Sequence, residues 1–65
     1  MITVHMEPGG EVREFHSLNT VLGLMNKLGL KPGEALIIRD GALLTSDRRL
    51  RHGDRIEVRS VISSG

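Results

Sequence analysis

Apolar and polar residues alternate near both ends of the chain, which is the pattern of half-buried strands. Residues 2–6 read ITVHM and residues 55–59 read RIEVR, with every second side chain apolar. A third apolar stretch lies at residues 34–39, where four apolar residues follow one another without alternation. This pattern predicts a strand in the interior of the sheet, covered on one face and close to other apolar groups on its second face.

A turn signal follows the first strand, because Pro8 is followed by two glycines. Residues 11–16 are then predicted to return as the second strand of a hairpin. The large apolar residues of this stretch, Val12 and Phe15, are three positions apart and do not alternate cleanly. We therefore expect either a bulge in this strand or a Phe15 that leaves the sheet to contact the helix.

A second hairpin is predicted around Asp40-Gly41, a pair that favours a two-residue turn. The short strand 42–45 follows this turn, and its two adjacent leucines cannot both point inward. The polar segment 46–52 contains one large apolar residue, Leu50. We expect Leu50 to hold this segment against the core.

One amphipathic helix is predicted between the two hairpins. The apolar residues from Val21 to Leu28 recur at offsets of three, four and seven, which places them on one face of a helix. Asn19 and Thr20 precede the helix and can cap it through a side-chain oxygen. Gly29 stands where a left-handed terminator belongs. Because the helix is short, packing on a sheet is expected to stabilise it more than its intrinsic propensity does.

The predicted order of elements is strand, strand, helix, strand, strand, strand, which is typical of an α+β domain. The first and last strands both carry inward β-branched residues, so we expect them to lie side by side in the centre of the sheet. The predicted fold class is α+β with a β-grasp (ubiquitin-like) layout: a mixed four- to five-stranded sheet with one main helix packed across one face. Residues 1–59 are predicted to form one domain, and residues 60–65 a flexible C-terminal tail.

The composition narrows the classes of function. A chain of 65 residues builds a core too small for an enclosed active-site cavity, which disfavours an enzyme. The absence of cysteine excludes disulfides and thiolate metal sites, and it fits the reducing cytoplasm. A net charge of +1 and a single aromatic residue disfavour nucleic acid as a partner of the whole domain. We therefore expect a cytoplasmic protein that is not an enzyme, binds no cofactor or metal, crosses no membrane and is monomeric when free.

The last six residues carry no charged side chain and end on glycine. Val61 and Ile62 are adjacent, so an extended chain points one of them outward, toward the groove of a partner. Gly65 has no Cβ, which allows another enzyme to draw the chain end through a narrow channel. A carboxylate must become a mixed anhydride, such as an acyl-adenylate, before sulfur or an amine can attack it, and this chain would be the substrate of that reaction. A frayed terminus without a function is the alternative interpretation.

Four pieces of the sequence together resemble a known family: the opening hairpin, the segments TVLGLMNKLGL and ALIIRDGALLT, and the ending HGDRIEVRSVISSG. They are similar, over essentially the whole chain, to the ThiS/MoaD family of small ubiquitin-like sulfur carriers. The resemblance implies a β-grasp fold and a terminal glycine, here Gly65, that is adenylated and converted to a thiocarboxylate. It also implies delivery of the sulfur to thiamine, molybdopterin or tRNA thiolation pathways, and some relatives are conjugated to lysines as modifiers. The family ends in Gly-Gly, whereas this chain has Ser64 in the penultimate position, whose Cβ narrows the allowed backbone angles.

The resemblance further implies two partners. One is an adenylating enzyme related to ubiquitin-activating enzymes, which uses ATP, and the other is a downstream synthase that accepts the sulfur. The residues expected to enter the active site of the activating enzyme are Val61, Ile62, Ser63, Ser64 and Gly65.

A docking face is predicted from the geometry of the last strand and not from the resemblance. Arg55, Glu57 and Arg59 share the exposed face of this strand and lead toward the tail, and Leu43 adds an apolar element. We therefore expect these four residues to contact a partner.

The arginines of the polar segment support a second hypothesis. Arg48, Arg49 and Arg51, together with the arginines of the last strand, form the one marked cluster of charge. A solvated surface explains such a cluster, because Asp47, Asp54 and Glu57 are interspersed with it. The functional alternative is a non-catalytic β-grasp binding module that uses this arginine-rich face to hold a protein or RNA partner.

Overall fold

In the computed structural model, which describes residues 1–61, one helix lies across a mixed five-stranded sheet. The elements, in chain order, are β1 (Ile2–Glu7), β2 (Glu11–Phe15), α1 (Val21–Leu28), β3 (Ala35–Arg39), β4 (Ala42–Leu43) and β5 (Arg55–Ser60). The strands are arranged in the order β2-β1-β5-β3-β4. β1 and β5 are parallel, and the other neighbouring strands are antiparallel. The predicted α+β class and the predicted element order are confirmed.

The first and last strands form the centre of the sheet, as their alternation predicts. Val4 is paired with Ile56, and Met6 is paired with Val58. The side chains that point toward α1 from these strands form the core together with the buried face of the helix. The buried apolar residues are Ile2, Val4, Leu18, Val21, Leu24, Met25, Ile37, Leu50, Ile56 and Val58. One face of the sheet is therefore covered by α1, and none of the described elements covers the other face.

The helix begins and ends where its sequence signals predict. The Thr20 hydroxyl accepts a hydrogen bond from the Gly23 N–H at 3.1 Å, which caps the first turn. Gly29 adopts a left-handed φ of 71°, and its N–H donates to the Asn26 carbonyl. The next N–H, that of Leu30, donates to the Met25 carbonyl at 2.9 Å. This pair of bonds is a Schellman motif, which satisfies carbonyls that the end of the helix would otherwise leave free.

The expectation for the second strand was wrong. β2 is paired with β1 in unbroken register from Glu11 to Phe15, so there is no bulge, and Phe15 does not leave the sheet. Phe15 lies opposite Ile2 and packs against the core, whereas Val12 lies opposite His5 and is 54% exposed. The expectation assumed that both apolar residues must be buried. In an edge strand of a small domain, one of them can face solvent.

The second hairpin has the predicted turn but a shorter final strand. Asp40 and Gly41 both have positive φ, 52° and 78°, as a two-residue hairpin turn requires. β4 contains two residues instead of the four predicted. The Leu44 N–H still donates to the Ile37 carbonyl at 2.8 Å, and Leu44 packs against the core. β4 ends early because the chain then turns away from the sheet edge to reach the start of α1.

The segment after β4 is held against the start of α1 by backbone hydrogen bonds. The Leu22 N–H donates to the Ser46 carbonyl, and the Val21 N–H donates to the Arg48 carbonyl, each at 3.0 Å. These bonds satisfy N–H groups of the first helical turn, which have no partner within a helix. Leu50 is 7% exposed and belongs to the core, which confirms its predicted role.

Within residues 1–61, none of the helices is long and apolar enough to cross a membrane. The same part of the chain holds no group of three or more His, Cys, Asp or Glu side chains arranged to hold a metal ion.

Candidate functional site

The face of the sheet that α1 leaves uncovered, called the open face below, collects side chains from all five strands. Registered cross-strand neighbours point to the same side of a sheet. The pairings therefore place the following residues on the open face: Thr3, His5, Glu7, Val12, Glu14, Leu36, Ile38, Leu43, Arg55, Glu57 and Arg59. The face is apolar on β3 and β4 and mainly charged on the other three strands.

The four residues of the predicted docking face all lie on this open face. Leu43 is 65% exposed and lies opposite Ile38, which in turn lies opposite Glu57. Arg55 and Arg59 are exposed and flank Glu57 along β5. An apolar element and two cations are therefore presented side by side, the combination that a partner with apolar and acidic groups can recognise.

Glu57 lies at the centre of this surface. Its Oε2 atom is 2.8 Å from Nη2 of Arg59, and its side chain is 35% exposed. The same oxygen is buried and makes no hydrogen bond of good geometry within the described part of the chain. The contact is an ion pair without an aligned hydrogen bond, because the two atoms are close but the donor direction is poor. Such a partly exposed pair contributes little to stability. Arg59, whose side chain is 59% exposed, is more accessible to a partner than Glu57, whose Oε2 is buried.

Two further apolar residues of the open face were not predicted to belong to it. Leu36 is 38% exposed, and Ile38 is half-buried on the same side. The sequence pattern predicted other apolar groups beside the second face of β3, and Leu43 is such a neighbour of Ile38. The pattern did not predict that this face is left uncovered. The signal was present in the turn: a two-residue loop at Asp40-Gly41 places Leu43 opposite Ile38, so both point to the face that Ile37 does not.

The end of β5 lies further along the chain than predicted. Ser60 is paired with Ala35, so the strand extends one residue beyond the expected end at Arg59. The Val61 N–H then donates to the Glu34 carbonyl at 3.1 Å, and Val61 is 45% exposed. β5 is longer than predicted because the backbone of Ala35 in β3 pairs with Ser60, and this pairing does not depend on the side chains. The remaining predicted tail residues lie outside the described residues: Ile62, Ser63, Ser64 and Gly65.

The arginine cluster of the sequence surrounds a shallow depression of about 770 Å³ beside the second hairpin. We call residues 45–54 the arginine loop. Nη1 of Arg39 donates to the Asp54 carboxylate at 2.8 Å and to the Arg49 carbonyl at 3.2 Å. The Arg51 N–H donates to the same carboxylate at 2.8 Å. The Asp54 carboxylate therefore connects Arg39 of β3 with the backbone at Arg51, and Arg39 also contacts the backbone at Arg49.

The electrostatics of the loop centre on Asp54. Partial burial raises the pKa of this carboxyl, but the hydrogen bonds from the Arg51 N–H and the Arg39 guanidinium outweigh it and hold the pKa below its ordinary value. The hydroxyl of Thr45 donates to Asp47 and lowers the pKa of that carboxyl. Both carboxylates are therefore charged at neutral pH and offset part of the positive charge of the cluster.

The cluster predicted from the sequence divides into two parts. Arg55 and Arg59 lie on the open face, whereas Arg48, Arg49 and Arg51 lie around the depression. The side chains of these last three residues form no salt bridge with any carboxylate of residues 1–61. Arg39, which lies outside the predicted cluster, has the structural role, because its position at the end of β3 directs its side chain toward Asp54.

Comparison of the chain with models of protein families and with curated proteins gave no significant match. The arrangement of the described residues and the resemblance carried by the sequence motifs are therefore the grounds for assigning a function.

Proposed function

We propose that this chain is a small sulfur-carrier protein with a β-grasp fold. Its terminal Gly65 is adenylated and thiocarboxylated by a partner activating enzyme, and it then donates sulfur in thiamine or molybdopterin biosynthesis or in tRNA thiolation. The observation that supports this proposal best is that β5, the last described strand, ends at Ser60 beside an open face that contains Leu43, Arg55, Glu57 and Arg59. The parallel pairing of β1 with β5 under a single helix supports the β-grasp assignment.

The carrier contributes a reactive group, and its partner contributes the catalysis. A backbone carboxylate is a poor electrophile, so the activating enzyme must first convert Gly65 to an acyl-adenylate with ATP, which releases pyrophosphate. A sulfide-level sulfur nucleophile then attacks the carbonyl carbon, and AMP leaves. Four residues follow Val61 and extend at most about 14 Å. In the proposal, this segment enters the active-site channel of the activating enzyme while the open face contacts the surface around it.

The open face selects the partner. Leu36, Ile38 and Leu43 offer apolar contact area, and Arg55 and Arg59 attract acidic side chains. A partner surface with an apolar centre and acidic rim fits this arrangement. The downstream synthase must recognise the same tail, since the sulfur leaves from the same atom.

Sulfur transfer and protein conjugation share the activation step, so the proposal extends to a ubiquitin-like modifier. In protein conjugation, the nucleophile that attacks the activated Gly65 is a lysine of a target protein, whereas in sulfur transfer it is sulfur. The chain has two lysines of its own, Lys27 and Lys31, which gives few positions for the growth of a chain of modifiers.

Intact-mass analysis of the protein isolated from its own cells tests the proposal. Exchange of one carboxyl oxygen for sulfur adds about 16 Da, but oxidation of methionine adds about the same mass. The methionines of this chain are Met1, Met6 and Met25. A C-terminal fragment that starts at Gly53 contains none of them, so a gain in that fragment identifies the thiocarboxylate. Treatment of the isolated protein with an alkylating reagent selective for thiocarboxylates distinguishes added sulfur from added oxygen, because only the thiocarboxylate is alkylated. A mass gain confined to fragments with methionine, in cells that use the protein, would contradict the proposal.

Two tail variants give the complementary biochemical test with ATP, a sulfur source and the activating enzyme. Deletion of Gly65 should abolish modification of the chain end, because the terminal carboxyl is then that of Ser64. Ser64→Gly should be modified at least as fast as the natural chain, because it removes the Cβ that restricts the backbone. Full modification of the chain that lacks Gly65 would refute the carrier function.

The arginine loop supports a second candidate function, a binding module without C-terminal chemistry. Arg48, Arg49 and Arg51 have no carboxylate partner within residues 1–61 and border an open depression, which suits an anionic protein or RNA. Substitution of each by Glu should then weaken binding steeply, and the affinity should fall as salt rises. The carrier predicts instead that these variants are modified at Gly65 as fast as the natural chain.

A further inference from the structure

β2 is an edge strand whose outward backbone groups point to solvent. The Thr3 N–H donates to the Asp54 carbonyl at 3.0 Å, so Thr3 directs its backbone groups toward β5. Backbone groups of successive residues alternate in direction, and Val4 therefore bonds to Arg13 of β2. Within β2, the N–H and carbonyl groups of Val12 and Glu14 then point away from the sheet. Among residues 1–61, none forms a backbone hydrogen bond with these two outside the β1–β2 ladder.

The side chains of β2 are complementary to themselves in one antiparallel register. Glu11 and Arg13 lie on the same side of the strand, are both exposed, and form an ion pair at 3.0 Å. A twofold axis through Val12 places Glu11 opposite Arg13 of a second copy, and Arg13 opposite Glu11 of that copy. The two Val12 side chains, each 54% exposed in the free chain, then meet on the other side of the strand.

Charge excludes the neighbouring antiparallel registers with twofold symmetry. An axis through Arg13 places that cation opposite its own copy, and an axis through Glu11 or Glu14 does the same for an anion. Like charges directly opposite each other destabilise a pair of strands. The register centred on Val12 is therefore the favoured one, and it also pairs the outward N–H and carbonyl of Val12 with those of its copy.

We propose that two copies of this chain associate edge to edge through β2, with a twofold axis at Val12, to form a continuous sheet of ten strands. Each copy contributes its five strands. β2 lies at the opposite edge of the sheet from β3 and β4, so Leu36, Ile38 and Leu43 stay accessible in the dimer. The inference is independent of the proposed carrier chemistry.

The contact is small, because it involves one short strand from each copy. An interface below about 1,200 Å² is typical of weak complexes, so we expect a dissociation constant on the order of 10⁻⁴ M. The monomer predicted from the sequence is then the state of the dilute protein, and the dimer is the state of the concentrated protein.

Sedimentation equilibrium of the full chain from about 10 μM to about 1 mM measures this association. We expect the average mass to rise from the monomer value of 7.2 kDa toward twice that value. Glu11→Arg and Arg13→Glu should each weaken dimerisation by about tenfold or more, because each places like charges opposite each other. The double variant with both substitutions should restore it, since the charges are again complementary. Glu14→Gln is the matched control, because Glu14 faces Gly10 of the second copy in this register.

Val12→Pro provides a test that does not involve charge. It removes an N–H that points away from β1, so the internal ladder keeps its hydrogen bonds and the fold is retained. Dimerisation should be lost, and far-UV circular dichroism with a cooperative unfolding transition verifies the fold. In the natural chain, the Val12 amide should become more protected from hydrogen exchange as the concentration rises, whereas the Arg13 amide should stay protected at all concentrations. A monomer mass up to about 1 mM, a double variant without restored association, or a dimer that survives Val12→Pro would each overturn the proposal.

Discussion

At the scale of single residues, Asp54 makes the densest set of polar contacts in the described chain. Its carboxylate accepts hydrogen bonds from the Arg39 side chain and the Arg51 backbone, and it is mostly shielded, with 19% of its side chain exposed. It connects β3 to the arginine loop, and it immediately precedes β5. Its ionisation is therefore coupled to the stability of the fold.

Asp54→Asn should lower the free energy of unfolding by about 1–3 kcal/mol at neutral pH, because a charged acceptor of two hydrogen bonds is lost. The pKa of Asp54 lies below its ordinary value in the folded chain. The stabilisation is then complete above the unfolded pKa of about 3.9 and disappears as the pH falls through the lower pKa of the folded state. Urea unfolding of both proteins should give curves that differ at about pH 7 and converge toward about pH 2.

The comparison of the natural chain with Asp54→Asn controls for the other titratable groups, because both proteins contain them. Asp47 also has a lowered pKa, but it is present in both proteins and cancels in the difference. A difference in unfolding free energy that is the same at acidic and neutral pH would show that the charge of Asp54 is not the cause.

Thr20 has a separate role at this scale as the cap of α1. Thr20→Ala should destabilise the protein by about 1 kcal/mol, because the Gly23 N–H loses its acceptor. Thr20→Ser keeps the hydroxyl and should cost much less. Urea unfolding at constant pH checks both variants, and equal losses for the two would contradict the capping role.

At the scale of elements, two leucines distinguish the core from the proposed docking surface. Leu50 is 7% exposed and holds the arginine loop, whereas Leu43 is 65% exposed and ends β4. Leu50→Ala should cost about 2–4 kcal/mol of unfolding free energy, because it removes buried apolar area and leaves a cavity. Leu43→Ala should change stability by less than about 0.5 kcal/mol.

The same pair tests the open face as a docking surface. Under the proposed carrier function, Leu43→Ala should weaken binding to the proposed activating enzyme while the free energy of unfolding stays unchanged, as measured by calorimetric titration and urea unfolding. Leu50→Ala should lower the free energy of unfolding but leave the binding affinity unchanged, when binding is measured at a temperature where this variant is folded. If Leu43→Ala bound with unaltered affinity, Leu43 would have no part in docking.

Elements differ in how well their sequence predicts them. The helix and the turn at Asp40-Gly41 were predicted at their observed positions, because their signals act over a few neighbouring residues. The length of β4 was not predicted, and neither was the side of the sheet to which Val12 and Leu36 point. They depend on which distant strand lies alongside, and propensity has no information about that pairing.

At the scale of the whole molecule, the fold depends on the pairing of the two ends of the chain. β5 lies between β1 and β3 and supplies Ile56 and Val58, which are 0% and 1% exposed. A chain that ends at Asp54 should therefore show no cooperative thermal transition by circular dichroism. A chain that lacks Gly65 alone should keep the transition, because the described core lies between Ile2 and Val58. Cooperative unfolding of the shorter chain would mean that β5 is dispensable.

By itself, the sequence determined the α+β class, the central position of β1 and β5, the limits and caps of α1 and the burial of Leu50. These features follow from periodicity, from turn and cap residues, and from the need to bury β-branched side chains, all of which can be evaluated along the chain. The alternation of residues 55–59 also placed Arg55, Glu57 and Arg59 together on the exposed face of β5.

Only the tertiary structure decided that the apolar surface of β3 and β4 joins the arginines of β5 on one open face. It also decided that Arg39 pairs with Asp54, that β5 reaches Ser60, and that β2 offers a free edge. The physical reason is the same in each case. Which groups meet depends on register between strands that are far apart in the chain, and register is set by packing against a shared core.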